Sequence, residues 1–553
     1  MAERENGLTD KLFNFRPVFF TAVAFCVGIL FCYFHIYYGV SLWWLLALLP
    51  IVGAPFLFCL CKRDFIKRGI ALSVLLLSFG LGALSFSAQI RDYEDCPNLD
   101  GEYYVTATVV GKMDYGYNTR LLLEDVYTDG VRLKSKLNAY LPASFYDKVA
   151  LGDEVLLFGK LQTEAESFDE YGFRANAVGD KLRYTMTAKS VTVTGRTNDL
   201  FLLARSRLQR VIFAGMDQTP AAVTMAVLTG DTAAIDGDLF ENVRYGGIAH
   251  IFAVSGLHVG ALFAFCLLLI QKTNLRKSHK MIQFVLLAAV LLFYAGICGF
   301  SASITRAVVL CLVGYAAKLI GSSIDFLEIL GVAAIVILLG APSSLFEVGF
   351  QLSFAACLGI AFLSKGIGQV CDEFGKGLRK IFPRRLSESQ KKMLADGDTL
   401  PLSVEGRFAR SVASVLSVSL AAQAATAPIL LGVFGYVSGW ALLLNVLFVP
   451  LISAAFGFLL LFAVIACVLP ISWSVFLLYL PNLLWSAALL LFEAVDFSTF
   501  LLEAKAVPMV ATIAYFVGCT FLSDKWNLPK IYRKGAAWAC FMVFAVVLLI
   551  ANL

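Results

Sequence analysis

Apolar residues run almost unbroken for about the length of a bilayer crossing at 17–37, 42–61 and 69–90, and then the pattern changes. Between 92 and 199 polar and apolar residues alternate in short runs, "YYVTATVVG", "RLLLEDV", "LKSKLNAYL", "DEVLLFGKL" and "LRYTMTAKSVTVTG", separated by Gly, Asp and Asn. Alternation with period two marks strands with one buried face. Five such strands predict a small all-β domain, either a closed barrel of the OB type or a sandwich, which periodicity does not separate. Next, "FLLARSRLQRVIFAG" (201–215) sets Arg205, Arg207 and Arg210 among apolar residues. That pattern fits an amphipathic helix at the membrane interface or a plain linker helix. The segment "TPAAVTMAVLTG" (219–230) is too short to span, which suits a re-entrant helix protected by protein.

A second apolar block follows, with spans near 248–270, 282–299, 303–320, 326–341, 345–363, 410–435, 438–468, 473–495, 505–522 and 535–552. The stretch 438–468 is too long for one straight crossing, and Pro450 removes a backbone hydrogen bond within it, so a broken helix is expected there. The pattern thus predicts a polytopic α-helical membrane protein of about thirteen spans carrying a small OB-like β domain. Its divisions are a three-span module (1–91), the β domain (92–199), connecting helices (200–247) and a transmembrane core (248–553).

Charge placement orients this arrangement. Lys62, Arg63, Lys67 and Arg68 crowd the loop after the second span, and further basic loops fall at 272–280, 365–392 and 525–534. The positive-inside rule places all four loops and the N-terminus in the cytoplasm, and the β domain and C-terminus outside. The first apolar run follows Arg4, Lys11 and Arg16 like a signal peptide. It is too long for an h-region and lacks a small-x-small cleavage site, so it is expected to stay as a span.

Composition narrows the function. With 15% charged residues and a net charge of +5, the chain has no electrostatic signature of nucleic-acid binding as a whole. The β domain holds twelve Lys and Arg against eighteen Asp and Glu, so it is net acidic. Its tyrosines, including Tyr103, Tyr104, Tyr115, Tyr117 and Tyr184, either stack bases or fill a sheet. Almost all thirteen cysteines lie in apolar stretches, Cys96 alone falls in the β domain, and no paired C-x-x-C occurs, so neither a disulfide framework nor a structural metal is expected. There is no G-x-x-x-x-G-K-S/T loop, no G-x-S-x-G elbow and no H-E-x-x-H helix. The chain therefore has no ATP site, and no cofactor or catalytic residue is assigned.

Polar groups at membrane depth are costly and usually face a partner or a water-filled path. Here they are Asp231, His250, Ser255, His258, Arg306, Gln351, Ser353, Gln423 and Asn445. In "HIFAVSGLHVG" (250–260), Ser255 and His258 would share a helical face, with His250 about 80° away on an ideal helix. Gly256 and Gly260 form a G-x-x-x-G. The segment is either a slim polar wall of a path or packing glue between helices. Arg306, about one turn into its span, either awaits an anion or snorkels to the interface. Glu347, Gln351 and Ser353 either line a path or hold the bundle together.

The run "VLTGDTAAIDGDLFENVRYGGIAHIFAVSGLHVG" (227–260) resembles the hallmark of the ComEC-type competence family, the DNA-internalisation channels of natural transformation. "SASITRAVV", "SSLFEVGFQLSFAA" (343–356) and "NVLFVP" (445–450) resemble further segments of it, as do "GDEVLLFGKL" and "ESFDEYGFRA" upstream. The resemblance implies transport of single-stranded DNA through the cytoplasmic membrane. The path candidates it carries over are Asp231, His250, Ser255, Gly256, His258, Arg306, Gln351, Ser353, Asn445 and Pro450. It also implies partners: a DNA receptor outside and an ATP-driven helicase-like motor inside, with 365–392 as a docking or exit surface. Moving an anion against the membrane potential costs roughly 2.3 kcal/mol per charge per 100 mV, which requires such a motor. Many members continue into a metallo-β-lactamase-like domain. This chain ends at Leu553 with no H-x-H-x-D-H cluster, so nuclease activity is expected from a separate protein. The alternatives are a small-solute or lipid-precursor transporter, favoured by a narrow occluded site, and an intramembrane hydrolase, favoured by convergence of Asp231, His250 and His258.

Overall fold

The computed structural model describes residues 16–39, 65–164, 167–169, 172–252, 254, 256–272, 280–321, 324–381, 404–505, 507–522 and 529–552. The chain is mostly helical with one small β domain. Among the described residues, eight helices are long and apolar enough to cross a membrane, and four shorter apolar helices accompany them. The expected span at 42–61 lies outside the described residues.

Among the described residues the first helices are α1 (Pro17–Tyr38) and α2 (Phe65–Glu94). They cross closely because glycine faces backbone at both contacts: a Cβ on Gly28 would lie 2.0 Å from the Phe79 carbonyl oxygen, and one on Gly82 would lie 2.2 Å from that of Phe25. Such approach is how helices gain contact where lipid removes the hydrophobic drive. The first turn of α1 has amides without intrahelical partners. Glu328 supplies the acceptor, taking hydrogen bonds from the Val18 (2.9 Å) and Phe19 (3.3 Å) amides, while Arg16 pairs with Asp325.

The β domain has five long strands, β1 (Gly101–Asp114), β2 (Asn118–Thr128), β3 (Lys136–Pro142), β4 (Asp153–Thr163) and β5 (Leu182–Arg196). They pair in the order β1-β4-β5-β3-β2, and β2 pairs again with β1, so the sheet closes on itself. Only the β3–β5 pair is parallel among these. Alternating side chains fill the interior, with Val105, Val109, Leu123, Leu137, Val155, Leu157 and Leu161 fully buried. A closed barrel therefore replaces the sandwich that alternation left open.

The domain is docked to the helices at one end of the bundle. Tyr93 on α2 donates to the Leu182 carbonyl (2.9 Å), and Gln89 exchanges hydrogen bonds with Ser343. Val178, in a short helix before β5, is buried among Phe25, Ile29, Phe86, Leu338 and Phe350.

The remaining helices are α3 (Leu200–Gly215), α4 (Gln218–Thr229), α5 (Gly237–Tyr245), α6 (Gly256–Lys272), α7 (Lys280–Ile297), α8 (Ala302–Leu319), α9 (Phe326–Gly340), α10 (Val348–Ile381), α11 (Val404–Phe434), α12 (Ala441–Val468), α13 (Ser474–Ala494), α14 (Met509–Leu522) and α15 (Lys530–Asn552). A short ladder of β6 (Tyr436–Ser438) and β7 (Leu501–Glu503) ties two loops together.

Three expectations need correction. The helix at 201–215 does not lie along the bundle surface. Phe201 packs on Phe293 and Phe300, while Gly215 abuts Ser474 at the start of α13, so α3 runs into the bundle. Arg207 donates to the carbonyls of Cys467 (3.2 Å) and Leu469 (3.1 Å), groups that a helix end leaves open. The α4 helix then returns beside α13, with every residue from Pro220 to Thr229 buried.

Second, 248–270 is not one helix. Ala249–Ile251 is a 3-10 turn and α6 starts only at Gly256. Ile248, Ile251, Phe252 and Val254 are all buried, so these apolar side chains pack inside the protein. Tertiary packing, not hydropathy, decides its shape. The 80° offset expected between His250 and His258 on one ideal helix therefore does not apply.

Third, α12 is continuous from Ala441 to Val468 through Pro450. A proline inside a helix forfeits one ladder hydrogen bond, which packing on both sides can offset.

Candidate functional site

The centre of the bundle is built around the first turn of α6. Gly256 has no side chain, and this absence is filled by a neighbour: a Cβ there would lie 3.3 Å from Arg306 Nη2 and 3.6 Å from Ala307 Cβ, both on α8. Two residues on, His258 is 1% exposed and its ring lies 4.7 Å from that of Phe456 on α12. The SGLH motif thus sits where α6 meets α8 on one side and α12 on the other. Ser255 itself lies outside the described residues.

Arg306 is 7% exposed. Its Nε and Nη1 are buried without hydrogen-bond partners, and its guanidinium stands 5.9 Å from the Phe354 ring on α10. No ion pair to it occurs among the described residues. Snorkelling is thereby ruled out, because a snorkelling arginine carries its head into water.

His250 hydrogen-bonds the backbone of Gly247. Its side chain is exposed. Ser353 and Asn445 are further polar side chains with buried, unpartnered oxygens. Close before Asn445 in the chain, the Ser438 hydroxyl and the Trp440 indole Nε1 are likewise buried and unpartnered.

Other expected site residues have structural partners. Asp231 pairs with Arg205 at 2.9 Å and also accepts from the Ala233 amide, which fixes the turn after α4. Gln351 donates to the Leu345 carbonyl at 3.2 Å, and Gln423 to Ser419 at 3.2 Å on its own helix. Pro450 lies within the continuous α12, away from any helix end. Of the expected residues, Gly256 and Arg306 are brought together, His258 packs on the opposite neighbour α12, and Asp231 is turned to a different partner. No group of three His, Cys, Asp or Glu side chains able to hold a metal occurs among the described residues.

Sequence reasoning missed several residues. Asn242 donates to the carbonyls of Phe492 (2.6 Å) and Val495 (2.9 Å) and accepts from the Phe497 amide (3.1 Å), closing the C-terminal end of α13. It stands in "ENVRYGG", where a lone amide before paired glycines is the available signal. Tyr294 donates to the Leu228 carbonyl at the end of α4 (2.8 Å). The partner of Arg205 was not visible because helix periodicity carries no long-range pairing.

A bundle of membrane-length apolar helices enclosing polar groups, with a β barrel docked at one end, is a multi-pass membrane protein. The competence protein family model matches residues 227–528, more than half of the chain and all of the site just described, and the chain belongs to that family. Over 154 residues it is 29% identical to ComE operon protein 3 of Bacillus subtilis (strain 168), a match covering 28% of this chain and 20% of that protein. The aligned part is thus about a fifth of that relative's length. No solved structure matches the chain significantly.

Proposed function

We propose that this protein carries single-stranded DNA across the cytoplasmic membrane into the cell during natural transformation. The observation that carries this reading is the polar interior at Gly256, His258 and Arg306, which falls within the segment matched by the competence family. A buried cation without a carboxylate suits a passing anion better than a permanent internal bridge. His250, Ser353 and Asn445 add hydrogen-bonding groups without fixed charge.

The remaining parts follow from that role. The closed five-strand order with one parallel pair supports an OB-type domain facing outward, where a DNA receptor delivers substrate. About thirteen spans, with the N-terminus inside, put the basic stretch 365–392 in the cytoplasm beside an ATP-driven helicase-like motor. Membrane lipid surrounds the outer helices, of which α15 is the least covered by protein.

The test is deletion of the gene in its host under competence conditions, with labelled DNA resolved into surface-bound and cytoplasmic fractions. The expected result is DNA that binds outside and never enters. Entry at the normal rate would overturn the reading and leave the small-solute transporter to be pursued.

A further inference from the structure

We infer that Arg306 and the N-terminal end of α6 form a binding site for one phosphodiester group of the translocating strand, an inference that rests on the DNA-import reading above. Two positive potentials converge here. A helix N-terminus carries roughly half a positive charge, and α6 is 17 residues long. Against it lies a guanidinium that never loses its proton, with Nη2 3.3 Å from the Cβ position of Gly256.

Like charges brought together in a protein interior repel, and burial adds a desolvation cost for the guanidinium. The aromatic face of Phe354 at 5.9 Å offsets only a small part of this. Asp231, one of the acids of the hallmark run, is taken by Arg205. What removes the conflict is an anion held by both, and the geometry suits an oxyanion. Nε and Nη1 are buried and unpartnered, and an arginine fork donates two parallel bonds to the oxygens of a phosphate. Helix N-termini bind phosphate by the same electrostatics.

Gly256 has a specific part in this. Any side chain there would press on Nη2, so glycine is what lets the guanidinium reach the helix end. The site lies about one turn from the start of α8, at the end of the bundle that carries the β domain, so a strand would meet it early. A single such site holds the strand weakly enough to release it onward.

The test uses the full-length protein, purified in nanodiscs. Thermal unfolding is followed with a 20-mer oligothymidylate, with the same oligomer bearing an uncharged methylphosphonate backbone, and with rising phosphatidylglycerol in the nanodisc. The phosphodiester oligomer should raise the Tm and the methylphosphonate should not. Arg306→Gln should lose that shift, weaken binding about tenfold and lower the salt slope by about 0.7. Arg306→Lys should keep most of the slope and recover part of the affinity, because it retains charge without the fork. An equal shift in wild type and Arg306→Gln, or no shift in wild type, overturns the site. A shift produced by phosphatidylglycerol in place of the oligomer assigns the anion to lipid and overturns the strand assignment.

In cells, Arg306→Gln should reduce DNA entry at least tenfold with surface binding unchanged. Normal entry in that variant, with entry abolished by deletion, sinks the site and leaves the import reading standing. Normal entry in the deletion strain sinks the import reading itself. Should Arg306→Gln fail to accumulate, Gly256→Leu serves: its side chain fills the space where Nη2 meets the helix end and should reduce entry several-fold at normal protein level, and a wild-type rate there overturns the proposal.

Discussion

In the β domain, four cations come with carboxylates, Arg174 with Glu164 at 2.7 Å, Lys136 with Glu124, Lys189 with Glu102 and Arg132 with Asp125, while Lys112 rests on two carbonyls. In the helical core, Arg205 pairs with Asp231 and Arg16 with Asp325 in the same way, but Arg207 rests on two helix-end carbonyls and Arg306 on the face of Phe354 and a helix N-terminus. The first arrangement neutralises charge locally and leaves a domain that is complete in water. The second keeps positive potential in the interior, which has a use only if a negative group visits it. The two regions also cohere by different forces. Barrel side chains leave water on folding, whereas helices already in lipid gain mainly contact and hydrogen bonds.

That difference in force is open to a direct measurement. Leu157 in β4 is fully buried in the barrel, and Leu262 in α6 is 6% exposed in the core. Leu157→Ala should cost about 3 kcal/mol, the sum of lost transfer from water and a cavity. Leu262→Ala should cost less, roughly 1–2 kcal/mol, since lipid replaces water in its reference state and mainly packing is lost. Hydrogen exchange on the full chain would read each region separately. Equal losses would mean that the core is held by the same force as the barrel.

The hydrogen-bonded braces of the core come next in size. Arg205 and Asp231 are 18% and 17% exposed, so Arg205→Ala leaves a carboxylate mostly buried and should cost about 2 kcal/mol. Asn242→Ala leaves the Phe492 and Val495 carbonyls without their donor and should cost about 1–2 kcal/mol. Both should lower the Tm of the purified protein while the exchange pattern of the β barrel stays as in wild type. Loosening of the barrel by either variant would show that the two regions unfold as one unit.

The same contrast sets what could be read from sequence. Strands were legible because burial in β2 alternates, with Thr119, Leu121, Leu123, Val126 and Thr128 buried, and alternation is local. Most helices were legible from length and hydropathy. The 3-10 turn before α6 was not, because Ile251, Phe252 and Val254 look like lipid-facing residues and are core residues. The insertion of α3 was hidden too, since its three arginines suggested a membrane surface and the acceptors of Arg207 lie some 260 residues away. At the site, Gly256 and His258 stood out as unusual residues for an apolar segment, but the meeting of Gly256 with Arg306 is a tertiary contact between motifs 50 residues apart. Asp231 belonged to the same hallmark run and was drawn elsewhere by Arg205.

The smallest effect lies at the joint between the two regions. Glu347, in the turn before α10, is wedged against Gly179 of the β domain and accepts from Ser344 at 3.1 Å. Burial raises its carboxyl above the ordinary 4.5, the Ser344 hydrogen bond opposes this, and Asp180 adds to the rise. Asp180 is itself raised by burial, against the pull of Lys136 and Arg120. An acid whose pKa is higher in the docked state binds more protons there, so docking gains as pH falls through the docked pKa. The gain is complete below the free value near 4.5 and is lost as pH rises toward neutrality. Glu347→Gln keeps the acceptor for Ser344 and removes the charge. It should hold the 175–179 segment at pH 7 with the protection wild type reaches only near pH 5, a difference under about 1 kcal/mol for groups in contact with water. Protection in wild type that does not change between pH 7 and pH 5 would mean that the joint is set by Val178 and its apolar neighbours alone, with the carboxylates as bystanders.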